Sequence, residues 1–157
     1  MITLVLTVHN KENTIAGLLR LLIRNTSHLT TDLIIVADGC IDKTLAEINS
    51  LYKVLSSRFN IQICITPDVW ETKANNHGLR RVNTPYAILV QDDMYIKHPK
   101  WDKLLFAAFQ SNNVFAISGR DSHEFGLEHN LFVAKRVSGR DFPFFNSDLL
   151  WGRLLGL

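Results

Sequence analysis

Residues 85–101 read PYAILVQDDMYIKHPKW. Residues 86–90 form a short, β-favouring apolar run that gives out at Gln91, Asp92 and Asp93. Adjacent carboxylates at the end of a buried strand repel one another and lose hydration, a cost that a hard divalent cation removes. The string therefore predicts a strand whose carboxyl end binds a metal, and the ligand such a metal most naturally carries is a diphosphate.

Further runs of the same kind lie on either side. Residues 2–8, 33–37, 61–66, 87–90 and 114–118 are short, rich in Val and Ile, and continuously apolar, as strands buried on both faces are. Between them, residues 14–24, 43–58, 73–82 and 101–110 carry apolar positions at helical spacing behind a polar or Pro-led start. This alternation predicts right-handed βαβ crossovers, and so an α/β fold with a mostly parallel sheet flanked by helices. Residues 120–145 break the rhythm and read as a long loop or short antiparallel strands, followed by a last helix from about Ser147.

At 157 residues, 46% hydrophobic and 20% charged, the chain has the length of one domain, read here as 1–157 without a linker or internal repeat. The formal charge of +2 is spread out, and the densest basic spots are the pairs Arg80-Arg81 and Lys135-Arg136, so nucleic acid is not an expected partner. Cys40 and Cys64 make no C-x-x-C pair and read as reduced thiols of a cytoplasmic protein. No stretch approaches the roughly 20 apolar residues of a membrane-spanning helix. Strand-like residues follow Met1 at once, where a signal peptide needs a charged leader and an apolar region. The tail DLLWGRLLGL, residues 148–157, has an apolar helical face that could lie on the inner face of a membrane, although such a stripe more often packs on a core.

In open α/β sheets, ligands bind beyond the carboxyl ends of the strands. His9-Asn10 follows the first strand, Asp38-Gly39 the second and Gln91-Asp92-Asp93 the fourth. Converging there, an imidazole can pack on a base, a carboxylate can accept from a base N–H or a ribose hydroxyl, and a metal on Asp93 can bridge two phosphates. Blander readings stand beside these. Asp38-Gly39 also suits a tight turn, Asn75 and Asn76 suit helix capping, and Asp92-Asp93 alone would suit a solvated turn. His123 and His129 do not share a helical face and read as loop residues. Trp70, Trp101 and Trp151 read as core or rim packing.

Four strings in order, LTVHNKENTI (6–15), LIIVADGCIDKT (33–44), KANNHGLR (73–80) and ILVQDDMYIKHPKW (88–101), resemble the inverting nucleotide-sugar glycosyltransferases of family two, whose fold is GT-A. The last two strings are similar to the rhamnosyltransferase-like members. The resemblance implies that Thr7, His9 and Asn10 cradle the base, Asp38 binds base or ribose, and Asn76, with Gly78 behind it, approaches the nucleotide. It implies that Asp93 ligates Mg or Mn as the last acid of a D-x-D motif, with Gln91 and Asp92 beside it. Ala37, Cys40 and Gln91 depart from the family pattern.

The activity so implied is transfer of a sugar from a nucleotide-diphosphate donor to a hydroxyl of a saccharide or lipid-linked acceptor, with inversion and with divalent metal. Residues 1–118 would form the donor half and 119–157 a partial acceptor side, the chain ending before the segment that carries the family's general base. Asp121, Glu124, Glu128 and Asp141 are the acids available for that role, with Asp121 and Asp141 the candidates, and no motif selects among them. A non-catalytic nucleotide-sugar-binding domain is the alternative. A sugar-phosphate nucleotidyltransferase is disfavoured, because His9-Asn10-Lys11 replaces the Gly-rich phosphate loop such an enzyme needs after its first strand.

Overall fold

Strand β1 (Ile2–Val8) is buried at every position, and its alternate side chains feed two different cores. Ile2, Leu4, Leu6 and Val8 face one cluster, while Val5 faces a second. This is why a strand covered on both faces reads as an unbroken apolar run. The structure, a computed structural model, describes residues 1–94 and 96–107 with their side chains, and the backbone of 108–110, 116–118, 131–135, 141–146 and 153–156.

The remaining elements are α1 (Ile15–Asn25), β2 (Thr30–Asp38), α2 (Thr44–Ser50), α3 (Tyr52–Ser56), β3 (Asn60–Thr66), α4 (Glu71–Leu79), β4 (Tyr86–Gln91), α5 (Trp101–Gln110), β5 (Ala116–Ser118), β6 (Leu131–Lys135), β7 (Asp141–Asn146) and β8 (Arg153–Gly156). The main sheet runs β3-β2-β1-β4-β8-β5. Its first four strands are parallel, and β8 is antiparallel to both β4 and β5. Strands β6 and β7 form a separate antiparallel pair.

Helix α1 presents Ile15, Leu18, Leu19 and Leu22, spaced as one helical face, to the larger core, with Ile48 of α2, Leu55 of α3 and Trp101 and Leu105 of α5. Each such side chain, fully buried, contributes roughly 1.5–3 kcal/mol. Below this core, the Asp102 carboxylate is wholly buried and accepts from the Ser27 amide, the Ser27 hydroxyl and the Thr30 hydroxyl at 2.6–2.9 Å. Asn25 Nδ2 donates to the Ile96 carbonyl at 2.6 Å. Together they anchor the chain that leaves the polar triplet Gln91-Asp92-Asp93 at the end of β4.

On the opposite face α4 lies against β1 and β2 with Gly78 at the contact. A Cβ at that position would stand 2.4 Å from Val5 Cγ1 and 3.1 Å from Val36 Cγ2, so only glycine lets the helix approach this closely. The approach brings the amino end of α4 to the carboxyl edge of the sheet.

Several expectations are corrected. The helix expected over 43–58 is two helices meeting at Leu51, where the amide of Leu51 bonds the carbonyl three residues back, a tighter turn than the α-helical one. The third strand is not buried on both faces. It is the outer strand beside β2, with Ile61 and Ile63 half-buried and Ile65 68% exposed. In place of a helix running on through the tail, Arg153–Gly156 forms β8, whose backbone satisfies the edge of β4 that would otherwise lack partners. Residues 147–152 lie outside the described residues. The antiparallel option for 120–145 is realised in β6 and β7.

Replacing Gly78 by Ala is expected to destabilise the fold by about 1–3 kcal/mol through overpacking against Val5. A shift of the urea midpoint to lower concentration at unchanged slope checks it; an unchanged midpoint would show that α4 does not press on β1.

Candidate functional site

The chain leaves β1 through His9 and Asn10, and Asn10 takes the left-handed φ of +49° that asparagine tolerates better than most residues. Asn10 Oδ1 accepts from the Ile41 amide at 2.9 Å, tying this turn to the loop after β2. His9 Nδ1 lies 2.6 Å from the Asp38 carbonyl, and Asn10 Nδ2 lies 2.9 Å from His9 Nε2. A carbonyl can only accept, so the proton belongs on Nδ1, and Nε2 accepts from the Asn10 amide. Both ring nitrogens are thereby used to orient the imidazole.

Asp38, at the end of β2, is 3% exposed. Its Oδ1 accepts from the Thr66 hydroxyl and from the Val69 amide, each at 2.7 Å. A buried carboxylate left unpaired is costly, so these bonds hold the loop after β3 against the end of β2. Gly39, at φ +56°, completes the junction: a Cβ there would fall 2.4 Å from the Asp68 Cβ. The loop so held carries Asp68, Val69 and Trp70 into α4.

At the end of β4 the three polar residues have different surroundings. Gln91 Nε2 donates to Glu71 Oε1 at the start of α4. Asp92 Oδ2 accepts from the His9 amide at 2.9 Å, and Lys11 Nζ stands 3.5 Å from its Oδ1. Burial pushes the Asp92 carboxyl above the usual carboxylate range; the His9 N–H and the Lys11 charge oppose the shift, and Asp93 adds to it. Asp93 itself is exposed. Thr7 Oγ1 donates to Asn75 Oδ1 at 2.6 Å, closing the floor between β1 and α4.

These groups surround a cavity of about 450 Å³ at the carboxyl edge. Thr7, His9 and Lys11 enter it from β1, Asp38 from β2, Asp68, Trp70 and Glu71 from the loop after β3, and Gln91, Asp92 and Asp93 from β4. Among the described residues, five carboxylates meet one ammonium there.

Six of the expected residues, Thr7, His9, Asp38, Gln91, Asp92 and Asp93, line the cavity. Asn10 supports the turn beneath His9 and is not in the lining. Asn76 points away: it is exposed on α4, and its neighbour Asn75 is the one that meets Thr7. Asp121 lies outside the described residues, as do Glu124 and Glu128; Asp141 begins β7, of which the backbone alone is described. Among the described residues, no group of three His, Cys, Asp or Glu side chains is arranged to hold a metal by itself. Sequence reasoning missed Lys11, Asp68, Trp70, Glu71 and Asn75. The string TPDVWE, residues 66–71, is a polar cluster at a strand end like the other three, and the same rule applied to it would have found the fourth wall.

Residues 3–149 match the family model described as Glycosyl transferase family 2. Among curated proteins, none matches the sequence. Among solved structures, the mannosyltransferase PcManGT of Pyrobaculum calidifontis in complex with GDP-Man and Mn2+ has a TM-score of 0.69 at 12% identity, over 76% of this chain and 35% of its own. TarS 1–349 of S. aureus in complex with UDP-GlcNAc has 0.64 at 19% identity, over 83% and 38%. Glucosyl-3-phosphoglycerate synthase of Mycobacterium tuberculosis with Mn2+, UDP and glucosyl-3-phosphoglycerate has 0.58 at 17% identity, over 78% and 45%. At these identities the likeness is one of fold, and the chain spans less than half the length of each of these proteins.

Substituting Asp38 by Ala is expected to cost about 1–3 kcal/mol and to raise the exchange rate of the Val69 amide; an amide that exchanges as slowly as before would free Asp38 from this role. For Asp92 the raised folded pKa means that the native protein keeps a proton the unfolded chain has released. Its contribution therefore favours folding below about pH 4 and is lost as pH rises through the folded value. Asp92→Asn, which keeps an acceptor for the His9 amide, should raise the Tm at pH 7 and leave it unchanged near pH 3. Melting curves at the two pH values check the sign.

Proposed function

The chain belongs to glycosyl transferase family 2, and on that premise we propose that it transfers a sugar from a nucleotide-diphosphate donor to an acceptor hydroxyl, with inversion and with a divalent cation. The observation that carries the reading is the convergence of His9, Asp38, Asp92 and Asp93 from the ends of parallel strands on one acidic cavity. The complexes of the mannosyltransferase with GDP-Man and Mn2+ and of the synthase with UDP and Mn2+ support it by analogy of fold.

The donor set suits Mg or Mn. Asp92 and Asp93 offer hard oxygens on the cavity wall, the ligand type these cations take. The cation, when bound, stabilises charge on the departing diphosphate. Exposed Asp93 would ligate it directly. Asp92, fixed by the His9 amide and by Lys11, keeps the triplet in register. Lys11 supplies the protein's own positive charge beside the phosphates. Asp38 commits Oδ1 to the fold and leaves Oδ2, which has no protein donor among the described residues, for a ribose hydroxyl or a base N–H.

Inversion needs in-line attack by an acceptor hydroxyl and a carboxylate to take its proton. We assign residues 1–118 to the donor half and 119–157 to the acceptor side, where Asp121 and Asp141 remain the candidate bases. The acceptor we propose is a saccharide or lipid-linked hydroxyl, met in the cytoplasm or at the inner face of the membrane, in the manner of a rhamnosyltransferase-like enzyme. No helix among the described residues is long and apolar enough to cross a membrane.

Calorimetric titration with UDP and GDP, in Mn and in chelator, tests the donor site. Asp93→Ala should weaken binding at least about tenfold in Mn and leave the chelator value unchanged. Equal affinities of variant and parent in Mn would remove the metal from this site. Release of free nucleoside diphosphate from a nucleotide sugar then separates a transferase from a binding domain.

A further inference from the structure

Trp70 is 81% exposed, yet it lines the cavity. An indole left in water forgoes the burial that normally accounts for its presence. Its backbone adds a second cost. At φ +71° and ψ +152° it occupies a region that glycine visits readily and other residues essentially do not, and Asp68, two residues earlier, is also left-handed at φ +44°. A glycine at position 70 would relieve that strain, so the large ring is kept against two penalties.

The mount for this ring is rigid. The Val69 amide is bonded to buried Asp38, Gly39 presses against Asp68, and the Trp70 carbonyl accepts from the Ala74 amide at 2.9 Å to begin α4. A flat aromatic face, exposed on the wall of a cavity and carried by an anchored backbone, is what a stacking platform requires. Resting on the reading of the cavity as a nucleotide-sugar site, we infer that Trp70 is the face on which the nucleobase of the donor stacks.

The tie between the Trp70 loop and Asp38 favours the base over the sugar. Asp93, which would hold the diphosphate end, leaves β4, while the loop of Trp70 leaves β3, on the other side of β1 and β2. The start of α4 then reaches across to β4, where Glu71 meets Gln91, so strand order alone does not separate a base contact from a sugar contact. Asp38, on β2 between those strands, holds the Val69 amide next to Trp70 and lines the same cavity, so a base N–H or ribose hydroxyl that reached Asp38 would come close to the platform. His9, held by both ring nitrogens, supplies a second flat group at the end of β1.

The test is titration of the whole chain in Mn with three probes: inorganic diphosphate, nucleoside diphosphates (UDP and GDP) and their sugar conjugates. Trp70→Ala and Trp70→Gly are expected to lower nucleoside diphosphate affinity roughly tenfold or more while leaving inorganic diphosphate unchanged, with Trp70→Phe retaining most of it. The glycine variant should melt no lower than the parent, which separates loss of stacking from loss of fold. Unchanged nucleoside diphosphate affinity in the Ala and Gly variants overturns the inference while leaving the donor site standing. A loss confined to the sugar conjugates overturns it in favour of a sugar contact, and an equal loss for inorganic diphosphate overturns it in favour of a structural role. If the parent binds none of the probes, the donor-site reading falls and the platform falls with it.

Discussion

The site depends on one buried carboxylate. Asp38 joins three loops: Oδ1 holds the Thr66 hydroxyl and the Val69 amide, and its carbonyl holds the His9 ring. Because Asp38 is 3% exposed, loss of either Oδ1 donor would leave charge poorly solvated, and together with the carbonyl bond these contacts fix the loops after β1, β2 and β3 relative to one another. What stands at the carboxyl edge is therefore set by the interior. The residues exposed to a ligand, His9, Asp68 and Trp70, are mounted on that junction.

A second constraint brings the other wall into place. Gly78 lets α4 lie against Val5 and Val36, and the same helix then meets Thr7 through Asn75 and Gln91 through Glu71. The glycine thus acts on the site from a distance, by controlling how far a helix stands from the sheet. Among the described residues the cavity carries a surplus of negative charge, with Lys11 paired to Asp92 of its five carboxylates. Among these residues a cation is favoured electrostatically, in keeping with the proposed metal-bridged donor.

Sheet and crossovers were legible because burial on both faces leaves short runs rich in aliphatic and β-branched residues such as ITLVLTV and AILV, separated by helical stripes such as Ile15, Leu18, Leu19 and Leu22, although the outer strand β3 bears a similar run. The three polar strand ends were legible for the related reason that charge at the end of a buried run needs a purpose. Less legible was Asn76, since a one-residue rotation of 100° on a helix decides which of two adjacent asparagines faces Thr7, and local sequence does not record helix rotation. Strand β8 was unreadable as a strand because RLLG has too few residues to show a period; its pairing comes from the edge of β4, which lies more than sixty residues earlier in the chain.

What the sequence alone determined is the class of fold and the location of its chemistry, because periodicity and charge placement are local properties of a chain. What only the tertiary structure decided is the division of labour among the polar residues. Asp92 is tied to His9 and Lys11 while Asp93 is exposed, Asn75 rather than Asn76 turns to the sheet, and Trp70 stands on the cavity wall. Those assignments depend on distances between loops that neighbour one another only after the strands have paired, and on the close approach of α4 that Gly78 allows.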